Sequence, residues 1–337
     1  MALQHPWTTP PAIGMTIDVA PGVAWLRMPL PFQLDHINLW LLDDGDGFTV
    51  VDTGAGLPPT RAAWETIFTT RLGGKPITRI VVTHFHPDHI GNAAWLAERW
   101  HAPVVCTDGE GVAAQQVWFS SDPAEWLEHW RRHGLGGDAL AALSRRGNHY
   151  PGLVPKVPAR WTCLRDGDVL TIGDDRWEIF TMGGHAPEHA CLWCPGLRVL
   201  ISGDQVLPKI TTNVSVWSRE QADGNPLRTY LESLRRFDPL PADTLVLPSH
   251  GGPFRGLPER LAALRAHHDA RLAECAGALT EARTPAEIVP LLFRRALDAH
   301  HLSFAMGETL AHLYYLEAEG RAARAVGPDG LVRFRKA

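Results

Sequence analysis

Four residues in six positions suggest the chemistry of this chain: His84, His86, Asp88 and His89, in the stretch "VVTHFHPDHIGN". Three imidazoles and a carboxylate at that density repel one another once any ring is protonated, and they are costly to bury unpaired. A divalent cation answers both problems, because clusters of histidine with aspartate are natural ligands for zinc or a similar ion. His84 and His86 lie two apart at the end of a β-rich run, so an extended backbone presents both rings to one side. Asp88 and His89 follow Pro87, at the expected entry to a helix. Three more candidates sit in the same kind of place: His185 just past "RWEIFTM", Asp204 at the end of "VLISGD" and His250 at the end of "TLVLPSH". All are in strand-end loops, and Gly183, Gly184, Gly203 and Gly251 beside them allow close backbone approach.

The elements that must position these residues are short. "GVAWLRMPL", "INLWLL" and "FTVVD" are β-rich, and "DDGDG" between the last two is a hairpin signal. A helix with Pro59 near its start follows, then the buried-type strand "RIVVT", the helix "AAWLAERW" and the strand "PVVC". Strand and helix in alternation point to an α/β layer. From about residue 110 to 160 the chain reads as a helical insert rich in tryptophan. Trp118, Trp126 and Trp130 share one face if that helix is continuous, as a lid or as an apolar wall for a substrate. Strands then return, interrupted by the helix "PLRTYLESLRRF", up to His250. Cys191 and Cys194 form one CxxC inside an apparent strand, where positions three apart face opposite sides, so a zinc ribbon is not expected there.

Five motifs in order now carry a resemblance. "VVDTG", "THFHPDH", "GGHAPEH", "SGDQVL" and "LPSHGGP" resemble those of the metallo-β-lactamase-fold hydrolases, and they span residues 20 to 255. The resemblance implies an αββα sandwich and two divalent ions, zinc first with iron or manganese as alternatives. It implies His84, His86 and His185 on one ion, Asp88, His89 and His250 on the other, and Asp204 bridging. Asp88 and Asp204 are thereby the catalytic carboxylates. Asp52 resembles the first-motif aspartate that supports the ligand loops, and His189 is either an orienting residue or simply packed. Gly183 stands where many relatives carry Pro, and Ser249 where many carry Gly; neither departure removes a ligand. His86 stands where the flavodiiron branch carries Glu, which argues against that redox branch.

After His250 the chain is mainly helical. "LPERLAALRAHHDARLAECAGAL" reads as a long helix, "TPAE" as a capping box, and "MGETLAHLYYLEAEG" as a further helix ended by Gly320. "RAARAVGPDGLVRFR" then reads as a two-stranded wing. This resembles the winged-helix domain appended to one branch of these hydrolases, and divides the chain into a catalytic domain over 1–255 and a helical, winged domain over 256–337. His267, His268, His300 and His301 lie in helical segments without matching carboxylates and read as structural or solvated.

Composition narrows the function. The chain has 337 residues, 45% hydrophobic and 20% charged, with a formal net charge of -5. That argues against a protein built to coat nucleic acid. From Gly256 onward 11 Lys and Arg face 10 Asp and Glu, too even for a basic DNA-reading surface. The wing is therefore expected to pack beside the site or support a homodimer, with no specific nucleic acid. No apolar run suggests a membrane span, the N-terminus lacks a secretory pattern, and the expected location is the cytoplasm. The reading is a dinuclear metal-dependent hydrolase in which metal-activated water, not a serine or cysteine, attacks a small thioester, ester or lactone. The alternatives are an RNA phosphodiesterase and, from another class, a metal-bound DNA-binding sensor.

Overall fold

Alternation along the strands sends neighbouring side chains into different cores. In strand β2 (Val23–Pro29), following β1 (Thr16–Ala20), Val23 and Trp25 face one core while Ala24, Leu26 and Met28 face another. Strand β3 (His36–Asp44) repeats this, with Trp40 and Leu42 on one side and Ile37, Leu39 and Leu41 on the other. The structure, a computed structural model, describes residues 3–120, 124–217, 224–294 and 297–337, apart from the side chain of His300.

With β4 (Gly47–Val51), β5 (Ile77–Val81), β6 (Val104–Thr107) and β7 (Thr162–Leu164), these strands form a seven-stranded sheet in chain order. It is antiparallel from β1 to β4 and parallel from β4 to β7. Helices α1 (Pro58–Thr70), α2 (Pro87–Ile90), α3 (Ala93–Trp100) and α4 (Asp108–Phe119) lie in or near its crossovers. Ala63, Trp64, Ile67, Leu96 and Ala114 from these helices pack on its outer face. The second sheet contains β8 (Val169–Ile172), β9 (Asp175–Met182), β10 (His189–Cys194), β11 (Val199–Gly203) and β12 (Leu245–Pro248), in the spatial order β12-β11-β10-β9-β8. Trp25, Trp40, Val51 and Val81 of the first sheet meet Trp177, Ile179, Leu192 and Ile201 of the second in the middle core.

The outer face of the second sheet is covered by helices from three parts of the chain. The insert supplies α5 (Ala124–Arg132) and α6 (Gly137–Arg146), while its short α7 (Tyr150–Leu153) packs through Tyr150 into the outer core of the first sheet. Helix α8 (Pro226–Ser233) comes from between strands, and α9 (Leu257–Gly277), α10 (Pro285–Leu292) and α11 (Ala299–Ala318) come from the C-terminal part. Trp130, Leu143, Leu227, Leu261, Ile288 and Leu313 share one core with Cys191 and Trp193 of the sheet. The result is the expected αββα sandwich. Cys191 faces this helical core and Cys194 the middle core, so the two thiols of the CxxC diverge as the strand reading requires.

The C-terminal part ends in a two-stranded hairpin, β13 (Ala322–Val326) with β14 (Val332–Lys336). Thr284 and Glu287 form the capping box at the start of α10. The hairpin and helices are tied to the rest of the molecule by Phe334 in the helical core and by the Ala286 N–H, which donates to the carbonyl of His133 in the insert.

Three sequence expectations need correction. The insert's tryptophans do not share one helix face, because α4 ends at Phe119 and α5 begins at Ala124. Trp118 packs with the first sheet's helices and donates to the Val154 carbonyl, while Trp130 is fully buried over the second sheet. Strand β1 was not expected; its side chains are mostly half-exposed, and edge position rather than an apolar run makes it a strand. His301 does have a carboxylate partner: its ring lies 2.8 Å from Asp298, which also caps α11. His300, read as structural or solvated, has a side chain outside the described residues.

His268 is buried rather than solvated. Its Nδ1 lies 3.2 Å from Nε2 of His312 between α9 and α11, and His312 Nδ1 donates to the Glu308 carbonyl. Burial, then the neighbouring ring, pushes His268 down to about 3, and burial brings His312 to about 4. Both are therefore neutral in the fold, while the unfolded chain takes up protons below an ordinary histidine value of about 6.5. Stability should fall as pH drops through that value, by about 2 kcal/mol per histidine and so up to about 4 kcal/mol for the pair at pH 5. Urea midpoints at pH 7.5 and 5.0 check this: His312→Gln should lose less on acidification than the wild-type protein does.

Candidate metal centre

The sandwich gathers its chemistry at one edge. Asp52 follows β4, His84 and His86 follow β5, Asp88 and His89 lie on α2, His185 follows β9, Asp204 follows β11 and His250 follows β12. Both sheets therefore contribute, and the seven candidate ligands come together. His84 Nε2 lies 2.9 Å from His86 Nδ1 and 3.2 Å from His185 Nε2. His250 Nε2 lies 3.4 Å from Asp88 Oδ2, and His89 Nε2 lies 3.8 Å from the same oxygen. Asp204 stands between these groups. Its Oδ2 is 3.4 Å from His185, and its Oδ1 is 3.6 Å from both His89 and His250.

Hydrogen bonds behind the rings fix which nitrogen faces inward. Nδ1 of His185 can only donate to the carbonyl of Asn213, at 2.7 Å, and Nδ1 of His250 only to that of His36, at 2.9 Å. Nδ1 of His89 lies 2.7 Å from Asp52 Oδ2. Each ring then presents Nε2 to the centre, as an imidazole ligand must. The other oxygen of Asp52, Oδ1, accepts the Thr83 N–H at 2.8 Å and so ties the end of β4 to the loop that carries His84. Asp52 does this from a left-handed backbone conformation, φ 63°, a strain that surrounding bonds must hold.

His189 orients Asp204. Its Nε2 accepts the Asp204 N–H at 3.1 Å, and its ring stacks 4.8 Å from that of His84. The close approach depends on Gly203, with φ 53°, because a Cβ there would run into the His189 ring.

The donors fit a divalent ion on electrostatic grounds. His89 Nε2 and Asp204 Oδ1 are buried with no hydrogen-bond partner among the described residues, and they face the same space. Burial, then the nearby His89 and His86, pushes His84 well below the usual histidine range, and burial with His185 brings His86 to about 3. These rings stay neutral and offer lone pairs. Burial alone would lower His89 and His250 too. The carboxylates of Asp52, Asp88 and Asp204 instead raise His89 well above its usual value, and Asp204 with Asp88 brings His250 to about 10. Burial opposes ionisation of Asp88, yet His89 and His250 hold it down at about 2. The carboxylates thus call for positive charge in a dry place, and a metal ion supplies it while leaving the imidazoles neutral.

Two family descriptions match the chain: "Metallo-beta-lactamase superfamily" over residues 33–250, and "Metallo-beta-lactamase-like, C-terminal domain" over residues 272–337. The chain belongs to the metallo-beta-lactamase superfamily. A crystal structure of a beta-lactamase domain protein from Burkholderia ambifaria is 48% identical, with a TM-score of 0.94, covering 99% of this chain and 98% of that one. "Probable metallo-hydrolase YqjP" of Bacillus subtilis is 24% identical over 299 residues, 87% of this chain and 92% of its own. "Acyl-coenzyme A thioesterase MBLAC2" of Gallus gallus is 28% identical over 193 residues, 55% of this chain; the match spans only 63% of that relative. This member of the superfamily is a metallo-hydrolase.

Sequence reasoning missed Glu110. Its carboxylate is 1% exposed and accepts two backbone N–H groups: Phe85, between His84 and His86, at 2.9 Å, and Glu188, beside His189, at 2.7 Å. One carboxylate therefore ties a ligand loop of the first sheet to one of the second. Glu188 reciprocates, accepting from Gly109 N–H at the start of α4. In the sequence Glu110 looks like an ordinary acidic residue in a helix's first turn. The insert also reaches the site through Tyr150, not tryptophan: its hydroxyl donates to the Phe85 carbonyl. Glu110→Gln turns one acceptor into a donor facing an N–H, so metal affinity should fall about 10–100-fold. Chelator competition on the purified variant checks this, and circular dichroism should show the fold retained.

Proposed function

We propose that this metallo-hydrolase holds two divalent ions, zinc by preference, and cleaves a small thioester, ester or lactone. The observation that carries the pair of ions is the placement of Asp204, whose two oxygens face different sets of histidines, Oδ2 toward His185 and Oδ1 toward His89 and His250. On this reading His84, His86 and His185 hold one ion, Asp88, His89 and His250 the other, and Asp204 joins them. When bound, such ions act as Lewis acids and lower the pKa of a water molecule to about 7.

The chain's own residues do the rest. Asp52, Asn213 and His36 hold the Nδ1 protons of His89, His185 and His250, so that the ring lone pairs point inward without reorganisation. Asp88 is the more accessible carboxylate, 20% exposed against 11% for Asp204, and is placed to orient an attacking water and take its proton. No serine or cysteine nucleophile is invoked: Cys191 is buried behind the site, with its thiol donating to the Ser202 carbonyl.

An acyl substrate is supported by the likeness to an acyl-coenzyme A thioesterase and by the net charge of -5, which offers no dense basic channel for an RNA backbone. Metal analysis should find two ions per chain, and Asp204→Ala should lose both ions and activity together. A panel of thioesters, p-nitrophenyl esters, lactones and phosphodiesters tests the substrate class. A thioester or lactone should be cleaved with kcat/KM above ~10⁴ M⁻¹s⁻¹, the lower part of the usual enzyme range. Weak acyl cleavage beside metal-dependent cutting of single-stranded RNA, abolished by Asp88→Asn, would favour the phosphodiesterase instead.

A further inference from the structure

The stretch from Thr212 to Val216 has no regular secondary structure, yet Thr212, Val214, Ser215 and Val216 are all buried. It touches the metal centre twice. The Asn213 carbonyl accepts from His185 Nδ1, and the Thr212 hydroxyl donates to the Asp204 carbonyl at 2.6 Å. Its other end is held by the C-terminal part of the chain. The Val216 N–H donates to the carbonyl of Gly307, in the middle of α11, at 3.1 Å. Between the two ends, Ser215 Oγ donates to Asn213 Oδ1 at 2.7 Å.

Glycine is among the least favourable residues in a helix interior, so Gly307 calls for a local reason. A Cβ at Gly307 would lie 2.7 Å from Ser215 Cβ and 2.8 Å from Ser215 Oγ. The missing side chain is what lets the helix backbone reach the buried strap. Any larger residue must push Ser215 away, and Asn213 lies only two residues along the same strap.

We propose that Gly307 is a positioning residue for the metal centre: through Ser215 and Asn213, helix α11 fixes the ring of His185. The proposal rests on reading His185 as a metal ligand. A displaced Asn213 carbonyl would leave His185 Nδ1 poorly held, and the ring would turn its Nε2 away from His84 and Asp204. The loss falls on the ion shared by His84, His86 and His185. Asp88, His89 and His250 have no bond to the strap among the described residues, so their ion is affected less, through the Thr212 bond to Asp204 alone. The C-terminal helices thereby act in metal retention.

The test uses the full chain as wild type, Gly307→Ala, Gly307→Ala with Ser215→Gly, Ser215→Ala and His185→Ala. Each is loaded with zinc and titrated with a competing chelator. Cobalt-substituted spectra and melting temperatures are recorded alongside. Gly307→Ala should bind one of its two ions about 10-fold more weakly, with a changed cobalt spectrum, and adding Ser215→Gly should remove the collision and recover the affinity to within the roughly threefold that the lost Asn213 link costs. Ser215→Ala deletes only the link to Asn213 and should cost about threefold at the same ion; it carries the test should Gly307→Ala fail to fold. A lowered melting temperature with wild-type affinity and spectrum in the Gly307 and Ser215 variants overturns the proposal and leaves the ligand reading intact, provided His185→Ala weakens zinc. If His185→Ala also keeps both ions at full affinity, the ligand reading itself falls.

Discussion

Bringing negative carboxylates and neutral imidazoles together out of water is the constraint on which this structure depends. Asp88 and Asp204 are held ionised in a buried place, and the rings of His84 and His86 are held neutral beside them. The first condition is not stable in isolation, because burial disfavours every charged form, whereas the same burial keeps the rings neutral. The fold meets it by bracing four of the candidate ligands, His89, His185, His250 and Asp204, from behind. Asp52, the Asn213 and His36 carbonyls and the His189 ring each satisfy the far side of a ligand. The near sides are left facing one another.

This explains why the sandwich needs both sheets. Within one sheet, strand-end loops lie side by side and offer ligands along a line. Two sheets packed through Trp25, Trp40, Trp177 and Leu192 place a second line opposite the first. Glu110 then fastens the two lines at their open edge, alongside the Ala190 N–H bond to the Thr83 carbonyl and the Asn38 N–H bond to the Ser249 carbonyl. The left-handed conformation of Asp52 is tolerated for the same reason: its carboxylate is bonded to Thr83 and to His89, and relaxing the backbone would break both.

Much of this was legible in the sequence, and the part that was not has a common cause. The strands, the insert, the capping box at Thr284 and the cluster around His84 follow from periodicity, turn chemistry and spacing. The orienting acceptors of His185 and His250 are backbone carbonyls, which every residue possesses, so residue identity could not reveal them. Glu110 was hidden because a carboxylate at a helix start has an ordinary explanation. The tryptophans misled because their placement depends on where α4 stops, and local pattern fixes helix ends poorly. Gly307 carried a faint signal, a glycine inside a strong helical pattern, but its partner Ser215 lies in an irregular stretch with no pattern to read.

The outer layer of the second sheet mixes residues from the insert, from α8 and from α9 to β14 in one core. During synthesis the chain emerges from its N-terminus, so every candidate ligand is available before α11 and the hairpin exist. Until then Cys191, Trp193 and Leu200 have only part of their cover, and the Val216 end of the strap lacks its bond to Gly307. A chain that stops short of α11 therefore leaves apolar surface of the second sheet uncovered, and on our proposal it holds metal less firmly. If the proposal holds, the order of the segments makes metal retention report on whether α11 has docked.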